Sequence, residues 1–303
     1  MENIMNNRTK ALTPATIKAF QRRLHGSVVW PGSPDYDEAR QVWNGMIDKR
    51  PALIVRCADV SDVIEAVNVA REHGLLLAVR GGGHNVAGLG TCDGGMVIDL
   101  SALNEVTVDP ERRVARAGGG ARWRDVDAAT QVHGLAAPGG VVSDTGIAGL
   151  TLGGGLGWLA RTYGLSADNL IAADVVTAAG AVVRASETEN ADLLWGLRGG
   201  GGNFGIVTAF EYRLHPVGPR VLMSFVFHDG TDMEEKVRVY RDFVATAPDE
   251  LNLLCALGQV PPQAEAFPEE HWGKPFVAFI GSYLGPTEEG ERLLAPLWGL
   301  GEP

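Results

Sequence analysis

Cysteine is scarce in this chain. Its 303 residues hold three, Cys57, Cys92 and Cys255, too scattered for a disulfide framework or for zinc ligands at paired spacing. A reducing, cytoplasmic setting and no metal are therefore expected. Positive charge is also in short supply, with 26 Lys and Arg against 37 Asp and Glu and a formal net charge of −11. Nucleic acid and anionic membrane surfaces both call for clustered Lys and Arg, so neither is an expected partner. A small molecule is. No apolar run approaches the roughly 20 residues of a membrane span, and the opening MENIMNNRTKALTPATIKAF has no apolar signal-peptide core, so neither anchoring nor export is expected. A Walker sequence with its Lys-Ser/Thr end is missing too, which removes nucleoside triphosphate hydrolysis.

What the chain has in excess is glycine, 40 residues, clustered at Gly81–Gly83, Gly118–Gly120, Gly139–Gly140, Gly153–Gly155 and Gly199–Gly202. Glycine weakens regular elements, so clusters between apolar segments mark backbone in unusual conformations or in close contact with another group. In LLLAVRGGGHNVAG, residues 75–88, three glycines separate an apolar run from His84 and Asn85. Consecutive N–H groups in such a loop can form a nest for phosphate oxygens without any lysine, although a plain turn is the competing reading.

Periodicity supplies the frame. Thr13–Leu24 and Asp35–Asn44 are expected as short helices, Ala52–Arg56 as a strand, Asp59–Gly74 as an amphipathic helix and Leu75–Arg80 as a second strand. This is a β-α-β unit with the glycine loop at its carboxyl end, where open α/β sheets hold ligands. Short strands follow in MVIDL, EVTVD and RVARAG, then a helix over Ala121–His133, a hairpin of Leu170–Ala178 with Ala181–Ala185, a helix over Ala191–Leu197 and a strand over Ile206–Leu214. Two prolines in HPVGP set a boundary. Beyond it the order is strand Val221–His228, helix Asp232–Thr246, strands Leu251–Val260 and Pro275–Tyr283, and helix Glu288–Trp298. A split β-α-β arrangement would take one more strand, so the sequence is expected to be a C-terminally truncated form of a longer protein.

Two other features carry less. Gly155–Ala160, GLGWLA, satisfies G-x-G-x-x-A, with Asp174 about 20 residues downstream. The segment before it is not a clean strand, however, and Asp174 falls within LIAADVVTA rather than at a strand end. Of the seven histidines, His73 and His133 precede glycine at helix ends, where positive charge is favourable. His25, His215, His228 and His271 have no ligand-spaced partners. His84 alone follows the presumed anion nest, within reach of whatever carries the phosphates, and a neutral imidazole there could serve as base, hydrogen-bond partner or nucleophile.

Four ordered blocks, PALIVRCADVSDVIEAVNVAREHGLLLAVRGGGHN, GGMVIDLSALNEV, SDTGIAGLTLGGGLGWLARTYGLSADNL and LLWGLRGGGGNFGIVTAFEYRL, give the chain a family resemblance over residues 40–217. It resembles the FAD-linked oxidases with a PCMH-type FAD-binding domain, in the berberine-bridge-enzyme-like branch. The resemblance implies an α+β fold: a PCMH-type FAD-binding domain of two α+β subdomains (40–217) preceded by an N-terminal helical segment of the same module (1–39) and followed by a partial substrate-binding domain (218–303), an antiparallel sheet with helices.

It also implies the site. The loop Arg80, Gly81, Gly82, Gly83, His84 and Asn85 would wrap the FAD pyrophosphate, with His84 joined through a ring nitrogen to the flavin 8α-methyl carbon. A second loop would line the cofactor with Gly140, Val142, Ser143, Asp144, Thr145, Gly146 and Gly149, and Gly153, Gly154 and Gly155 would allow close packing. Gly205, Ile206 and Val207 would pass near the flavin or adenine end. Relatives with a second covalent link carry a cysteine at the position of Val142, so a single histidyl bond is implied. The implied activity is hydride transfer from a C–H beside a hydroxyl or amine of a small molecule to FAD, with dioxygen as acceptor and hydrogen peroxide as product. The catalytic base has no candidate in these residues. Rival readings are a noncovalent FAD dehydrogenase on the same fold and a truncated, non-catalytic remnant.

Overall fold

The computed structural model describes residues 12–301. Their contacts divide into two compact units, one of residues up to Gly157 with Leu165–Pro216, the other of Trp158–Gly164 with the chain from Val217 onward. The opening residues of the expected N-terminal segment, 1–11, lie outside the described range.

The first unit begins with α1 (Pro14–Gln21), whose N-cap Thr13 accepts from the Thr16 N–H, followed by β1 (Ser27–Val29) and α2 (Tyr36–Ala39). The helix expected over Asp35–Asn44 thus shrinks to a single turn, because the following residues are drawn into contacts with the glycine loop described below. Next come β2 (Leu53–Arg56), α3 (Val60–His73), β3 (Leu77–Arg80) and β4 (Met96–Asp99). Asp59 caps α3 by accepting from the Ser61 and Asp62 N–H groups, and Gly74 closes it. The sheet order is β1-β2-β4-β3, so β2 and β3 do not pair: β4 lies between them, parallel to both. β4 is buried along its whole length, as expected of a central parallel strand covered on both faces. β1, unforeseen in the sequence, pairs antiparallel to β2 at the edge.

A second sheet of this unit uses β5 (Val106–Asp109), β6 (Val114–Gly118), β8 (Leu170–Val176), β9 (Val182–Ser186) and β10 (Ile206–Arg213), all antiparallel in the order β5-β6-β10-β8-β9. Between them run α4 (Trp123–Gln131), the two-residue β7 (Leu135–Ala136), α5 (Ile147–Leu152) and α7 (Ala191–Leu197); the short α6 (Ala160–Tyr163) belongs to the second unit. β11 (His215–Pro216) closes the unit by pairing with β7. The inner face of this sheet packs Ala115, Ala117, Val175, Phe210 and Tyr212 against Trp123, Val126, Ile147 and Leu194. Its other face carries an ion-pair ring in which Arg116 and Arg184 each contact both Asp174 and Glu211 at 2.5–3.3 Å. Asp174 is therefore committed to guanidinium groups on a strand face, consistent with its unsuitability as a ribose ligand.

The second unit contains β12 (Leu222–Asp229), α8 (Met233–Val244), β13 (Leu251–Gln259), β14 (Pro275–Tyr283) and α9 (Thr287–Trp298). Its sheet runs β12-β14-β13, antiparallel throughout. Alternate residues Leu251, Leu253, Val277 and Phe279 pack on Leu294 and Leu297 of α9. As the sequence indicated, the chain is α+β. No helix among the described residues is long and apolar enough to cross a membrane.

Candidate functional site

The glycine loop starts where β3 leaves its sheet. Arg80, the last residue of β3, turns its side chain inward: Nη2 donates to Asp99 Oδ2 at 2.7 Å across the β3–β4 register, and Nη1 donates to the Gln41 carbonyl at 3.2 Å. Both members of the pair are less than a tenth exposed, so this guanidinium is a structural post. Its stem lies beneath the loop, since a Cβ built on Gly83 would sit 3.5 Å from Arg80 Cδ.

From Gly81 to Asn85 the main-chain N–H groups donate to no acceptor among the described residues. Gly83 has φ +70°, a left-handed conformation that residues with a Cβ rarely adopt. Five consecutive N–H groups around such a residue have the composition of an anion nest. The loop is tied from outside instead. The Trp43 N–H donates to Gly83 O at 3.1 Å, Asn44 Nδ2 to Val86 O at 2.8 Å, and Lys49 Nζ to Gly88 O at 2.8 Å. Asn85 closes the turn, its Oδ1 accepting from the Leu89 N–H and its carbonyl from the Gly88 N–H.

Two chain segments, around Gly119 and around Gly146, come close to this loop, and a third reaches it only through Gly119. A Cβ on Gly82 would lie 2.5 Å from Gly146 N, and one on Gly81 would lie 3.0 Å from Gly119 O and 3.5 Å from Ala148 Cβ. A Cβ on Gly119 would in turn lie 2.4 Å from Val207 O. At Gly82 and Gly119 the main chain comes too close for a Cβ, and at Gly81 a Cβ would be tightly crowded. Around them, residues 121–124 and 143–147 run alongside: Arg124 N–H donates to Ser143 O, Trp123 N–H to Thr145 O, and Ile147 N–H to Ala121 O. The structure thus brings together Gly81, Gly82 and Gly146, all expected from sequence, with Val207 one contact away through Gly119.

The other expected residues fall around this junction. Val142 and Ser143 are exposed, Gly140 packs on Leu150 and Trp123, and a Cβ on Gly149 would meet nothing within 4 Å. Gly153, Gly154 and Gly155 lie past the far end of α5, about 9 Å along its axis from the junction, where Gly154 O and Gly155 O accept from Ala167 and Ser166 N–H. Gly205 presses on Val175 and Val176, while the Ile206 and Val207 side chains are buried in the core.

His84 is the fourth residue of the nest. Its ring stacks on Trp43 with centroids 5.5 Å apart and planes 20° apart, and its Nε2 lies 3.5 Å from Asp144 Oδ2. Asp144 is held in turn by Arg122 and by Arg124 Nη1, the latter at 2.9 Å. The Arg122 hydrogen bond above all, then Arg124 and His84, hold its carboxyl below the usual carboxylate range. Trp43, Gly119, Arg122 and Arg124 were not foreseen. The Gly118–Gly120 cluster was a visible signal for Gly119, but nothing local marks the other three, which reach the site only through tertiary contacts.

Residues 51–186 match the family model described as an FAD binding domain. The chain is 35% identical over 302 residues to the FAD-linked oxidoreductase pgmH of Aspergillus terreus, covering 97% of this chain and 59% of that protein. It is 34% identical over 293 residues to the (R)-6-hydroxynicotine oxidase of Paenarthrobacter nicotinovorans, covering 97% of this chain and 61% of that one. The crystal structure of 6-hydroxy-D-nicotine oxidase from Arthrobacter nicotinovorans superposes with a TM-score of 0.85 at 33% identity, over 96% of this chain and 61% of the other. The chain therefore spans about three fifths of the length of these relatives.

Proposed function

Because the chain belongs to the FAD-linked oxidases with a PCMH-type FAD-binding domain, in their berberine-bridge-enzyme-like branch, we propose that it holds FAD at the Gly81–Gly146 junction as part of a small-molecule oxidase. One observation carries the reading: five main-chain N–H groups with no acceptor among the described residues, Gly81 to Asn85, surround an imidazole held between Trp43 and Asp144. Those N–H groups would hold the diphosphate. Gly140, Val142, Ser143, Asp144, Thr145, Gly146 and Gly149 would line the next part of the cofactor, with Gly153–Gly155 shaping the loop end and Gly205–Val207 closing the floor.

FAD, when bound, supplies a two-electron acceptor for a substrate C–H beside a hydroxyl or amine, and an electrophilic 8α-methyl carbon. His84 would attach to that carbon, and with valine at position 142 the attachment is single. Trp43 would keep water from one face of the imidazole. Dioxygen would take the electrons as hydrogen peroxide. Three free cysteines, two of them buried, support a reducing, cytoplasmic setting.

The test is intact mass spectrometry of the 303-residue chain purified with FAD supplied, before and after denaturation. A retained FAD mass that His84→Ala abolishes is the expected result. Flavin bound in the native chain but fully released on denaturation would favour the noncovalent dehydrogenase, and a chain that takes up no flavin at all would overturn the reading.

A further inference from the structure

We propose that an arginine-lined crevice at one end of the five-stranded sheet binds a phosphate group, either free or carried by a small organic ester. The site is separate from the glycine junction and does not depend on the flavin reading. Sheet topology creates it: in the order β5-β6-β10-β8-β9, one end gathers the start of β6, the end of β10, the start of β8 and the end of β9. A cavity of about 480 Å³ opens there, with Arg112, Arg113, Arg184 and Arg213 in its lining. Arg184 is engaged by Glu211 and Asp174. The side chains of the other three make no ion pair or hydrogen bond among the described residues, although the chain has 37 acidic residues to 26 basic ones. Guanidinium groups gathered without carboxylates set up a local positive field, and their planar N–H forks match phosphate oxygens.

The arginines are held in place by their backbone. Arg113 has φ +53° in the turn between β5 and β6, a left-handed conformation that glycine or asparagine adopts more easily. The turn is pinned on both sides: the Arg112 N–H donates to Asp109 Oδ1 at 2.9 Å, and the Leu214 N–H donates to Arg113 O at 2.8 Å. Arg213 stands beside them, its backbone paired with Val114. His215 senses the same field. Burial first, then the charges of Arg213 and Arg113, hold its imidazole below the ordinary value, while its Nε2 meets Asn169 Oδ1 at 2.7 Å. Elsewhere in the lining, Ser186 and Thr188 offer hydroxyls, and Val114, Ile171 and Ala172 form an apolar part suited to the body of an ester. Glu187 and Glu189 also line the cavity, the former 3.8 Å from Arg198, and by repulsion confine an anion to the arginine side.

Two measurements test the proposal, each made with inorganic phosphate and with phenyl phosphate, at constant ionic strength, with and without FAD. The first is ¹H titration of the His215 ring, assigned by its loss in His215→Gln. Bound phosphate offsets Arg113 and Arg213, so the His215 pKa should rise saturably, and chloride should leave it in place. The second is ³¹P line broadening, which gives the affinity directly. Arg113→Gly keeps the left-handed turn, and combined with Arg213→Gln it should weaken phosphate binding by about 10-fold or more. Tighter binding of phenyl phosphate than of inorganic phosphate identifies an ester as the ligand, and equal binding identifies free phosphate. A response that chloride reproduces, or equal affinity in wild type and the double variant, would overturn the site. Binding that FAD abolishes and the double variant retains would place the phosphate at the glycine loop and overturn it as well, leaving the cofactor reading intact.

Discussion

Replacing Asp99 by leucine should be the most damaging change near the loop, although Asp99 touches none of the loop glycines. Arg80 and Asp99 are 8% and 6% exposed, and their guanidinium and carboxylate meet at 2.7 Å. Asp99→Leu leaves the guanidinium out of water with only the Gln41 carbonyl at 3.2 Å, and removes the acceptor that holds the Ser101 N–H at 3.0 Å. Stranding one partner of a buried pair costs about 3–5 kcal/mol, and the lost backbone contact adds about 1 kcal/mol. At about 2–4 °C per kcal/mol for a unit of this size, the midpoint should fall by roughly 8–24 °C. Arg80→Met with Asp99→Leu removes both charges and keeps the aliphatic stem under Gly83, so the double variant should recover to within about 1 kcal/mol of wild type. Urea unfolding by circular dichroism, with hydrogen exchange at the β4 amides to assign the loss to this sheet, measures both. A single variant that loses less than about 1 kcal/mol, or a double variant no better than the single, would refute the argument that an isolated buried charge sets the cost.

Other consequences are as direct. Gly82→Ala and Gly146→Ala each force a Cβ to within 2.4–2.5 Å of main-chain nitrogen, so each should destabilise by about 1–3 kcal/mol or more and reduce FAD retention in spin-column assays; an alanine variant with wild-type midpoint and flavin content would contradict the close packing. The His25–Asp59 pair at 2.5 Å raises His25 by hydrogen bonding to Asp59, and Asp59 is lowered to about 2 chiefly by the Ser61 hydroxyl and then by His25. The Asp59 contribution is complete above its unfolded value near 4 and lost as pH falls toward 2, whereas the His25 contribution is complete below about 6.5 and lost as pH rises through its raised value. Melting curves of His25→Gln should accordingly converge with wild type in alkali and diverge between about pH 4 and 6.5; parallel curves at all pH would count against it. Cys57 is fully buried and burial pushes its thiol up, so native labelling with a thiol reagent should spare it and unfolding should expose it. Modification of native Cys57 on peptide mapping would contradict its placement.

Much of this protein could be read locally. The period of α3, its Asp59 cap and Gly74 stop, the hairpin around Ala178–Ala181 and the strand pattern of the second unit are statements about neighbours in sequence, and neighbours in sequence decide them. The family likeness worked for the same reason, since glycine at 82 and 146 is forced by contact and leaves its mark in both segments. β1 had no such signal. Three residues at a sheet edge bury only two side chains, and pairing with β2, not propensity, makes them a strand.

The sequence by itself determined most of the segments that form elements, the glycines where backbone comes close, and that His84 follows a glycine run able to form an anion nest. Tertiary structure alone decided that β4 separates β2 from β3, that Arg80 pairs with Asp99 inside the fold, and that Trp43 and Asp144, the latter held by Arg122 and Arg124, meet at the His84 ring. The physical reason is that hydrophobic period, caps and turns act over a few residues, whereas a side chain's partner across 40 or 60 residues is fixed only when whole strands find their order.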